Sequence, residues 1–223
     1  MRLSLAIFLS LIFSQVMAQP TFTYLALGDS YTIGEAVPKT DRWPVQLVHR
    51  LRAQSISIAD PQIVATTGWT TAELQAGIAQ AEVKARYDLV SLLIGVNNQY
   101  RGYDMDIYTK EFSELLDQAI QFAGGKPAHV FVVSIPDYGV TAFAREKELN
   151  PEKIATELDA YNALARKIAE NRGVQFFEIT EWSRKAATDA SLIATDGLHP
   201  SGKMYANWVE TCFGWVRENL SKR

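Results

Sequence analysis

Short apolar runs alternate with segments of helical periodicity along most of this 223-residue chain. The predicted strands span residues 22–27, 56–65, 89–94, 130–135 and 174–179. One of them, LVSLLI at 89–94, is apolar almost throughout. A strand without a polar face is typical of a parallel sheet that is covered on both sides, because its side chains are buried in both directions.

Segments with helical spacing of apolar residues fill the intervals between these runs. They predict helices over residues 42–53, 71–85, 112–120, 151–168 and 204–220. Asp41 is placed to cap the first of these helices, and Gly124-Gly125 to end the third. Right-handed crossovers place helices on both faces of a parallel sheet. The order therefore predicts an α/β fold, a three-layer α/β/α sandwich around a five-stranded parallel sheet.

The first eighteen residues differ in kind from the remainder of the chain. After Arg2, residues 3–17 contain no charge, and Val16 and Ala18 stand where a signal peptidase reads the chain. The apolar stretch is short for a membrane span. We therefore expect a signal peptide over 1–18 and one domain over 19–223, periplasmic or secreted, with no stable membrane insertion after cleavage. An uncleaved anchor is the alternative.

The charge balance and the single cysteine exclude several classes of protein. Lysine and arginine total 22 against 25 acidic residues, a formal charge of −3, and no basic block occurs. Nucleic-acid binding needs clustered positive charge and is not expected. Cys212 alone cannot form an intramolecular disulfide or a thiolate cluster. His49 and His129 do not stand at metal-ligand spacing from other ligand-type residues, so the sequence predicts neither a metal site nor a cofactor.

Polar residues follow several of the predicted strands directly. Ligands of parallel sheets bind beyond the carboxyl ends of the strands, so these residues mark the place to look for chemistry. Ser30 follows the first strand in the turn GDSY. It can present its hydroxyl and its backbone N–H at the sheet edge, although a turn or helix-capping serine would look the same. No glycine stands two residues later, so this is not the G-x-S-x-G elbow of the α/β-hydrolases.

Asp196 and His199 stand three residues apart near the end of the chain. At this spacing, within a turn, the carboxylate can reach one imidazole nitrogen and leave the other to take a proton from a hydroxyl. A capping aspartate beside a surface histidine, or half of a metal site, would share the pattern. The pair therefore indicates acid–base chemistry only in combination with a nucleophile.

Gly68 and Asn97 follow the second and third strands and can supply hydrogen-bond donors. Glycine offers an unhindered backbone N–H, and asparagine a side-chain amide. Preorganised donors of this kind stabilise the negative charge that develops during attack on a carbonyl group. A turn glycine and a turn-stabilising asparagine are the alternatives for each residue by itself. Their coincidence with Ser30 at one sheet edge favours nucleophilic catalysis.

Four sequence blocks resemble the SGNH, or GDSL-type, hydrolase family. They are LALGDSYTIGE with Ser30, TTGWT with Gly68, IGVNNQ with Asn97, and DGLHPS with Asp196 and His199. The resemblance implies a flavodoxin-like sandwich, with Ser30 as nucleophile, His199 as general base and acid, and Asp196 orienting His199. It further implies an oxyanion hole formed by the Ser30 N–H, the Gly68 N–H and the Asn97 amide, and it implies no cofactor.

The sequence departs from the family pattern at two positions. Tyr31 stands where the leucine of the name-giving motif would be, and Asn98 where an aspartate is common. Neither change removes a catalytic group, but both leave the subfamily and the substrate open. The residues assigned to substrate contact are Tyr31, Trp69, Asn98, Tyr100 and Arg101.

The resemblance leaves three functions open. The first is an exported serine esterase that removes short-chain or carbohydrate-linked acyl groups from a small-molecule or glycan ester. The second is a lysophospholipase or thioesterase of the same family. The third is a non-catalytic glycan-binding module, which would not need the Asp196–His199 spacing. The sequence has no long apolar lid segment, which favours a short acyl group. Nucleotide binding is not expected, because the first turn lacks G-x-G-x-x-G.

Overall fold

The computed structural model describes residues 21–222, so the predicted signal peptide over 1–18 lies outside the described residues. Within this range, five strands form one parallel sheet in the order β2-β1-β3-β4-β5. The strands are β1 (Tyr24–Gly28), β2 (Gln62–Ala65), β3 (Leu89–Leu93), β4 (Val130–Val133) and β5 (Gln175–Phe177). The predicted five-stranded parallel sheet is confirmed.

Helices cover both faces of this sheet. The α-helices of the described residues are α1 (Ser30–Ile33), α2 (Trp43–Ala53), α3 (Thr71–Gln80), α4 (Val96–Tyr100), α5 (Met105–Phe122), α6 (Ala142–Glu146), α7 (Pro151–Asn171), α8 (Thr180–Arg184) and α9 (Gly202–Ser221). On one face α2 packs against α9, and on the other α5 packs between α3 and α7. The predicted three-layer α/β/α sandwich is therefore confirmed. Within residues 21–222, none of these helices has the length and apolar character needed to cross a membrane.

The C-terminal helix shows how the sequence pattern produces a layer. Met204, Trp208, Cys212, Val216 and Leu220 recur every four residues, and all five are buried. This spacing places them on one side of α9, which packs against α2 and, through the contact of Trp215 with Phe131, against β4. Burial raises the pKa of the Cys212 thiol to about 12, so this cysteine is part of the core and not a nucleophile.

The strand order fixes where a ligand can bind. Strand β1 lies between β2 and β3, and the chain proceeds outward from β1 in both directions. The two loops that leave β1 and β3 therefore diverge and open a crevice at the carboxyl ends of these strands. Ser30 follows β1 and Asn97 follows β3, which places both residues at this crevice.

The predicted second strand is longer than the observed one. Only Gln62–Ala65 joins the ladder of β2, because Pro61 has no N–H to contribute. Further towards the N-terminus, Ile58 forms only an isolated bridge to Phe22. The predicted limits of the fourth and fifth strands are likewise too wide.

The helix predicted over 71–85 ends early, at Gln80. Ala81 takes an extended conformation, and the Lys84 N–H donates a hydrogen bond to the Tyr87 hydroxyl at 2.9 Å. Tertiary contacts of the following segment therefore override a helical pattern that continues beyond Gln80.

The prediction that Asp41 caps the helix over 42–53 is wrong. Asp41 belongs to a 3₁₀ turn over Lys39–Asp41, and Arg42 takes the cap position of α2 without a side-chain hydrogen bond. The backbone carbonyl of Asp41 instead accepts a hydrogen bond from Gln46 Nε2 at 2.6 Å.

Candidate active site

A small cavity opens at the carboxyl edge of the sheet. Its volume is about 140 Å³. The described residues that line it are Ser30, Tyr31, Thr67, Gly68, Val96, Asn97, Tyr100, Tyr138, Phe143, Leu198 and His199. Four of the five residues predicted to carry chemistry therefore face one cavity, and the fifth, Asp196, is hydrogen-bonded to His199.

Ser30 reaches the cavity through a tight turn at the end of β1. A Cβ at Gly28 would clash with the side chain of Thr32, so only glycine fits there. Helix α1 then begins at Ser30, and the Asp29 carboxylate accepts a hydrogen bond from the Tyr31 N–H at 3.0 Å. The Ser30 N–H is one of the first donors of this helix and has no partner among the described residues. Both the hydroxyl and the N–H of Ser30 are therefore available to a ligand.

Asp29 is completely buried beside Ser30. Its Oδ1 accepts the hydrogen bond from the Tyr31 N–H, while Oδ2 has no hydrogen-bond partner among the described residues. Burial, opposed by backbone hydrogen bonds, raises the pKa of Asp29 to about 7. The turn that carries Ser30 therefore holds a carboxyl group that is partly protonated near neutral pH.

The turn over residues 196–199 joins the aspartate and the histidine. His199 Nδ1 lies 2.6 Å from Asp196 Oδ2, and Asp196 Oδ1 accepts hydrogen bonds from the Leu198 and His199 N–H groups, each at 3.0 Å. Gly197 permits this turn with a φ of +72°. Burial by itself would raise the pKa of Asp196, but these hydrogen bonds hold it below its usual value. Asp196 is therefore ionised at neutral pH and fixes the orientation of the imidazole.

Aromatic rings support the His199 imidazole. Tyr31 meets it edge-on with 5.8 Å between ring centroids, and Trp208 packs against Tyr31 at 6.3 Å. Only 7% of His199 is exposed. Ser30 and His199 face the same cavity without a hydrogen bond between their side chains among the described residues, and such bonds are often long in the absence of substrate.

Gly68 and Asn97 bring hydrogen-bond donors to the cavity from the ends of β2 and β3. Gly68 has a φ of +87°, and its N–H has no hydrogen-bond partner within the described chain. The Asn97 amide nitrogen donates to the Trp69 carbonyl at 2.9 Å, which leaves its second hydrogen uncommitted. The cavity thus has two uncommitted donors near Ser30.

Two of the residues assigned to substrate contact line the cavity. Tyr31 forms part of its wall and of the support for His199, although only 3% of Tyr31 is exposed. Tyr100 is half exposed at the rim, and its ring meets those of Tyr138 and Phe143 at about 6 Å. These rings form an aromatic rim on the side of the cavity nearest α4 and α6.

Trp69 and Arg101, which were also assigned to substrate contact, do not line the cavity. The Trp69 indole lies over Gly77, where a Cβ would clash with the ring. Arg101 donates a hydrogen bond from Nη2 to the Gly68 carbonyl at 2.6 Å. Both side chains therefore have contacts within the protein, and the Arg101 side chain remains 38% exposed.

Asn98, the remaining residue assigned to substrate contact, does not line the cavity either. Asn98 is completely buried, with Oδ1 accepting from the Thr71 N–H at 3.0 Å and Nδ2 donating to the Thr71 hydroxyl at 2.7 Å. The Thr71 hydroxyl in turn donates to the Glu111 carboxylate. Because that hydroxyl has one proton, the group facing its lone pair must be a donor, which asparagine supplies and aspartate does not. Packing between α3, α4 and α5 therefore explains the departure from the family pattern at this position.

The sequence reasoning missed Thr67, Val96 and Leu198, which complete the wall of the cavity. Each directly precedes a residue that was predicted to carry chemistry. Their position in the sequence could have identified them, because a backbone that brings one residue to the edge of the sheet also brings the residue before it. Val96 and Leu198, with the aromatic rings, make much of the wall apolar.

A second cavity of about 360 Å³ adjoins the first and shares Tyr100 and Tyr138 with it. Its other lining residues are Gln99, Gly102, Glu148, Leu149, Asn150, Lys153, Ile154 and Glu157. The Tyr138 hydroxyl donates to Gln99 Oε1 at 3.0 Å, and Gln99 Nε2 donates to Glu157 Oε2 at 2.6 Å. A chain of polar contacts therefore joins the wall of the first cavity to that of the second.

Two observations concern the remainder of the described residues. Within residues 21–222, no three His, Cys, Asp or Glu side chains are arranged to hold a metal ion. An open groove of about 910 Å³ between α2 and α9 is larger than either cavity, but none of the predicted site residues lines it. Lys203 Nζ lies 2.7 Å from Ser191 Oγ in this groove, but it also forms an ion pair with Asp189 at 2.8 Å.

The sequence is similar to known ester hydrolases. Residues 26–206 match the model of the GDSL-like lipase/acylhydrolase family. An arylesterase from Vibrio mimicus is 26% identical over 200 residues, which cover 89% of this chain and 88% of that protein. The match to the family model includes Ser30, Gly68, Asn97, Asp196 and His199 within its limits.

The fold is similar to those of solved esterases and related proteins. The crystal structure of TesA aligns with a TM-score of 0.69 at 16% identity, over 88% of this chain and 99% of that chain. The acetylxylan esterase Axe2 from Geobacillus stearothermophilus aligns with a TM-score of 0.62 at 19% identity, over 87% of this chain and 94% of that chain. These likenesses establish the fold, and the family model, which spans most of the sequence, establishes the family. The chain belongs to the GDSL-like lipase/acylhydrolase family and is a carboxylic ester hydrolase.

Proposed function

We propose that this protein is a serine esterase that hydrolyses its substrate through an acyl-serine intermediate on Ser30. The observation that carries the proposal is the position of Ser30 and His199 in the wall of one cavity, with His199 Nδ1 2.6 Å from Asp196 Oδ2. The imidazole then keeps its second nitrogen for the Ser30 proton, and Asp196 stabilises the imidazolium that forms.

The reaction proceeds in two acyl-transfer steps. His199 takes the hydroxyl proton of Ser30 while the serine oxygen attacks the ester carbonyl carbon. The carbonyl oxygen becomes an oxyanion, which accepts hydrogen bonds from the Ser30 N–H, the Gly68 N–H and the Asn97 amide. The alcohol leaves with the proton that His199 holds. Water then attacks the acyl-serine in the same way, and the acid is released.

A short acyl group occupies the small cavity. Its volume of about 140 Å³ is less than half that of the adjoining cavity, which is about 360 Å³. Val96, Phe143 and Leu198 give it apolar walls that suit a few carbon atoms and not a fatty-acid chain. Acetyl is the acyl group in the name of the structural neighbour Axe2. A lysophospholipase or thioesterase acting on long chains would need an apolar channel, whereas the adjoining cavity has several charged side chains.

The remainder of the ester lies in the second cavity. Tyr100 is 50% exposed and offers a ring face at the boundary between the two cavities. Glu148, Asn150 and Lys153 add hydrogen-bond acceptors and donors. An aromatic face beside mixed donors and acceptors suits a hydroxylated group such as a sugar better than an alkyl chain. An acylated carbohydrate is therefore the proposed substrate class.

The activity is placed outside the cytoplasm on the basis of the N-terminal sequence. Residues 3–17 contain no charge after Arg2, and Val16 and Ala18 match a signal peptidase site. Cleavage after Ala18 gives a chain that begins at Gln19. N-terminal sequencing of exported protein tests this step: Gln19 supports it, and Met1 contradicts it.

Turnover of p-nitrophenyl esters from acetate to palmitate tests the proposed activity, with the Ser30→Ala variant as control. We expect Ser30-dependent hydrolysis that is fastest with short acyl chains. An optimum at long chains would contradict the assignment of the small cavity to the acyl group. Hydrolysis that persists unchanged in Ser30→Ala, or no hydrolysis of any ester, would contradict the mechanism and favour a binding module.

A further inference from the structure

The loop between β2 and α3, residues 66–70, carries Gly68 at its centre. Gly68 has a φ of +87° and no side chain, so its backbone is intrinsically free to rotate. A backbone N–H stabilises an oxyanion only when its direction is fixed before charge develops. The contacts around this loop therefore decide whether Gly68 is an effective donor.

Two side chains from one side of α4 hold successive carbonyl groups of this loop. Arg101, the C-cap residue that follows α4, donates from Nη2 to the Gly68 carbonyl at 2.6 Å. Asn97, four residues earlier, donates from Nδ2 to the Trp69 carbonyl at 2.9 Å. Residues four apart lie on the same side of a helix, so α4 presents both donors to the loop.

The backbone on both sides of the Gly68 N–H is anchored. After Gly68, the Trp69 N–H donates to the Thr66 carbonyl at 3.2 Å, so the peptide between Gly68 and Trp69 is held at both of its polar atoms. Before Gly68, the Thr67 hydroxyl donates to the Glu35 carboxylate. These anchors restrict rotation about the backbone bonds of Gly68.

The guanidinium of Arg101 is itself oriented. Arg101 Nη1 lies 3.3 Å from Glu73 Oε1, and Glu73 Oε2 accepts a hydrogen bond from the Thr70 N–H at 2.8 Å. Glu73 and Thr70 form the capping box at the start of α3, so the carboxylate that faces Arg101 has a fixed position. The arginine thus joins the carbonyl of Gly68 to the rigid first turn of α3.

We propose that Arg101 is a positioning residue of the oxyanion hole and acts through the Gly68 carbonyl to keep the Gly68 N–H directed at the cavity. This inference rests on the proposed function, in which that N–H is a donor. Arg101 does not line the cavity, and its guanidinium is committed to the loop. A substrate-binding arginine would change KM for anionic esters, whereas a positioning arginine changes kcat for every ester.

Three variants test the proposal on a neutral substrate, p-nitrophenyl acetate. Arg101→Ala is expected to lower kcat by about tenfold or more, because small displacements of a catalytic group are costly, and to leave KM within about twofold. Arg101→Lys retains a cationic donor and is expected to recover part of the lost kcat. Arg172→Ala is the matched control, because Arg172 bonds Asp117 away from the cavity and its removal changes net charge equally.

The outcomes separate this proposal from the proposed function. If the wild type shows Ser30-dependent turnover and Arg101→Ala keeps the wild-type kcat, the positioning role alone is overturned. An effect confined to KM for a negatively charged ester overturns it as well. If the wild type shows no Ser30-dependent turnover, the proposed function and the positioning role both fail. Thermal unfolding checks the fold, and where Arg101→Ala does not fold, Arg101→Met decides, because methionine fills similar space but has no donor for the Gly68 carbonyl; a wild-type kcat in that variant overturns the role.

Discussion

The two sides of the catalytic cavity are held in place in different ways. On one side Ser30 is 5% and His199 7% exposed, and the ring of Tyr31 packs against the imidazole. On the other side Gly68 and Asn97 are half-buried, and the loop around Gly68 depends on hydrogen bonds such as that from Arg101. A side chain that carries chemistry can be fixed by packing, whereas a backbone donor on glycine is fixed only by bonds to the peptide groups beside it.

Substitutions on the packed side of the cavity, which carries Ser30 and His199, are expected to lower activity most. Ser30→Ala and His199→Ala should each lower kcat/KM by about 10⁴-fold or more, because nucleophile and base act as a unit. Ester hydrolysis by the purified variants, with circular dichroism to confirm the fold, measures this. A folded variant that retains near wild-type activity would contradict the comparison, because the substituted residue would then not be required for the reaction.

Substitution of the donor side chain is expected to have the next largest effect. Asn97→Ala should lower kcat by about 10²- to 10³-fold with little change in KM, because the uncommitted amide hydrogen stabilises charge that develops only in the transition state. Steady-state kinetics give both constants. A change in KM alone would instead make Asn97 a substrate-binding residue.

Asn98→Ala is the matched control at the neighbouring position. It removes two buried hydrogen bonds to Thr71 and is expected to lower stability by about 1–3 kcal/mol while affecting kcat much less than Asn97→Ala does. Equal losses of kcat in the two variants would show that α4 responds as a unit and that the amide of Asn97 has no separate role.

The buried carboxyl group beside Ser30 gives a pH-dependent test of the packed side. Burial raises the pKa of Asp29 from 3.8 to about 7, so the folded chain binds this proton more tightly than the unfolded chain. Ionisation of Asp29 is therefore expected to lower the free energy of unfolding progressively as the pH rises from about 4 to about 7. Asp29→Asn keeps the acceptor for the Tyr31 N–H but cannot ionise. Its Tm relative to the wild type should be several degrees more favourable at about pH 8 than at about pH 5.

Thermal unfolding of both proteins across this pH range measures that difference. A Tm difference that does not vary with pH would mean that Asp29 does not titrate between about 4 and 7. The pKa of Asp29 would then be the same in the folded and the unfolded chain, and other interactions would offset the effect of burial on it.

The smallest effect is expected at the rim. Tyr100→Ala should raise KM for an acetylated sugar by about three- to tenfold, the value of one aromatic contact, and should affect p-nitrophenyl acetate less. Ile107→Ala is the control, because Ile107 is also an exposed large apolar side chain but lines neither cavity. Equal changes with both substrates would contradict the assignment of the second cavity to the sugar.

The packed side could be predicted from sequence because its geometry is largely local. The spacing of Asp196 and His199 suffices to bring the carboxylate to the imidazole within one turn, and the structure has this contact at 2.6 Å. Ser30 follows a strand directly, so its position at the sheet edge follows from the parallel fold. Likewise the four-residue stripe of α9 predicted a buried face without knowledge of its partner.

The donor side of the cavity, which carries Gly68 and Asn97, was predicted less completely because contacts between residues far apart in sequence determine it. Asn98 faces Thr71 and Arg101 faces Gly68, pairs that are 27 and 33 residues apart in sequence. No local pattern indicates that either side chain is committed to another loop, so both looked available for substrate. The strand order and the early end of α3 at Gln80 depend on tertiary contacts in the same way.

Labelling with a fluorophosphonate, followed by mass spectrometry of the digested protein, tests the central claim most directly. The reagent captures a serine only where a base and oxyanion donors activate it. The account predicts a single adduct on Ser30, no adduct in Ser30→Ala or His199→Ala, and slower labelling of Asn97→Ala. An unmodified Ser30, or an adduct on another residue of the folded wild type, would contradict the assignment of the nucleophile.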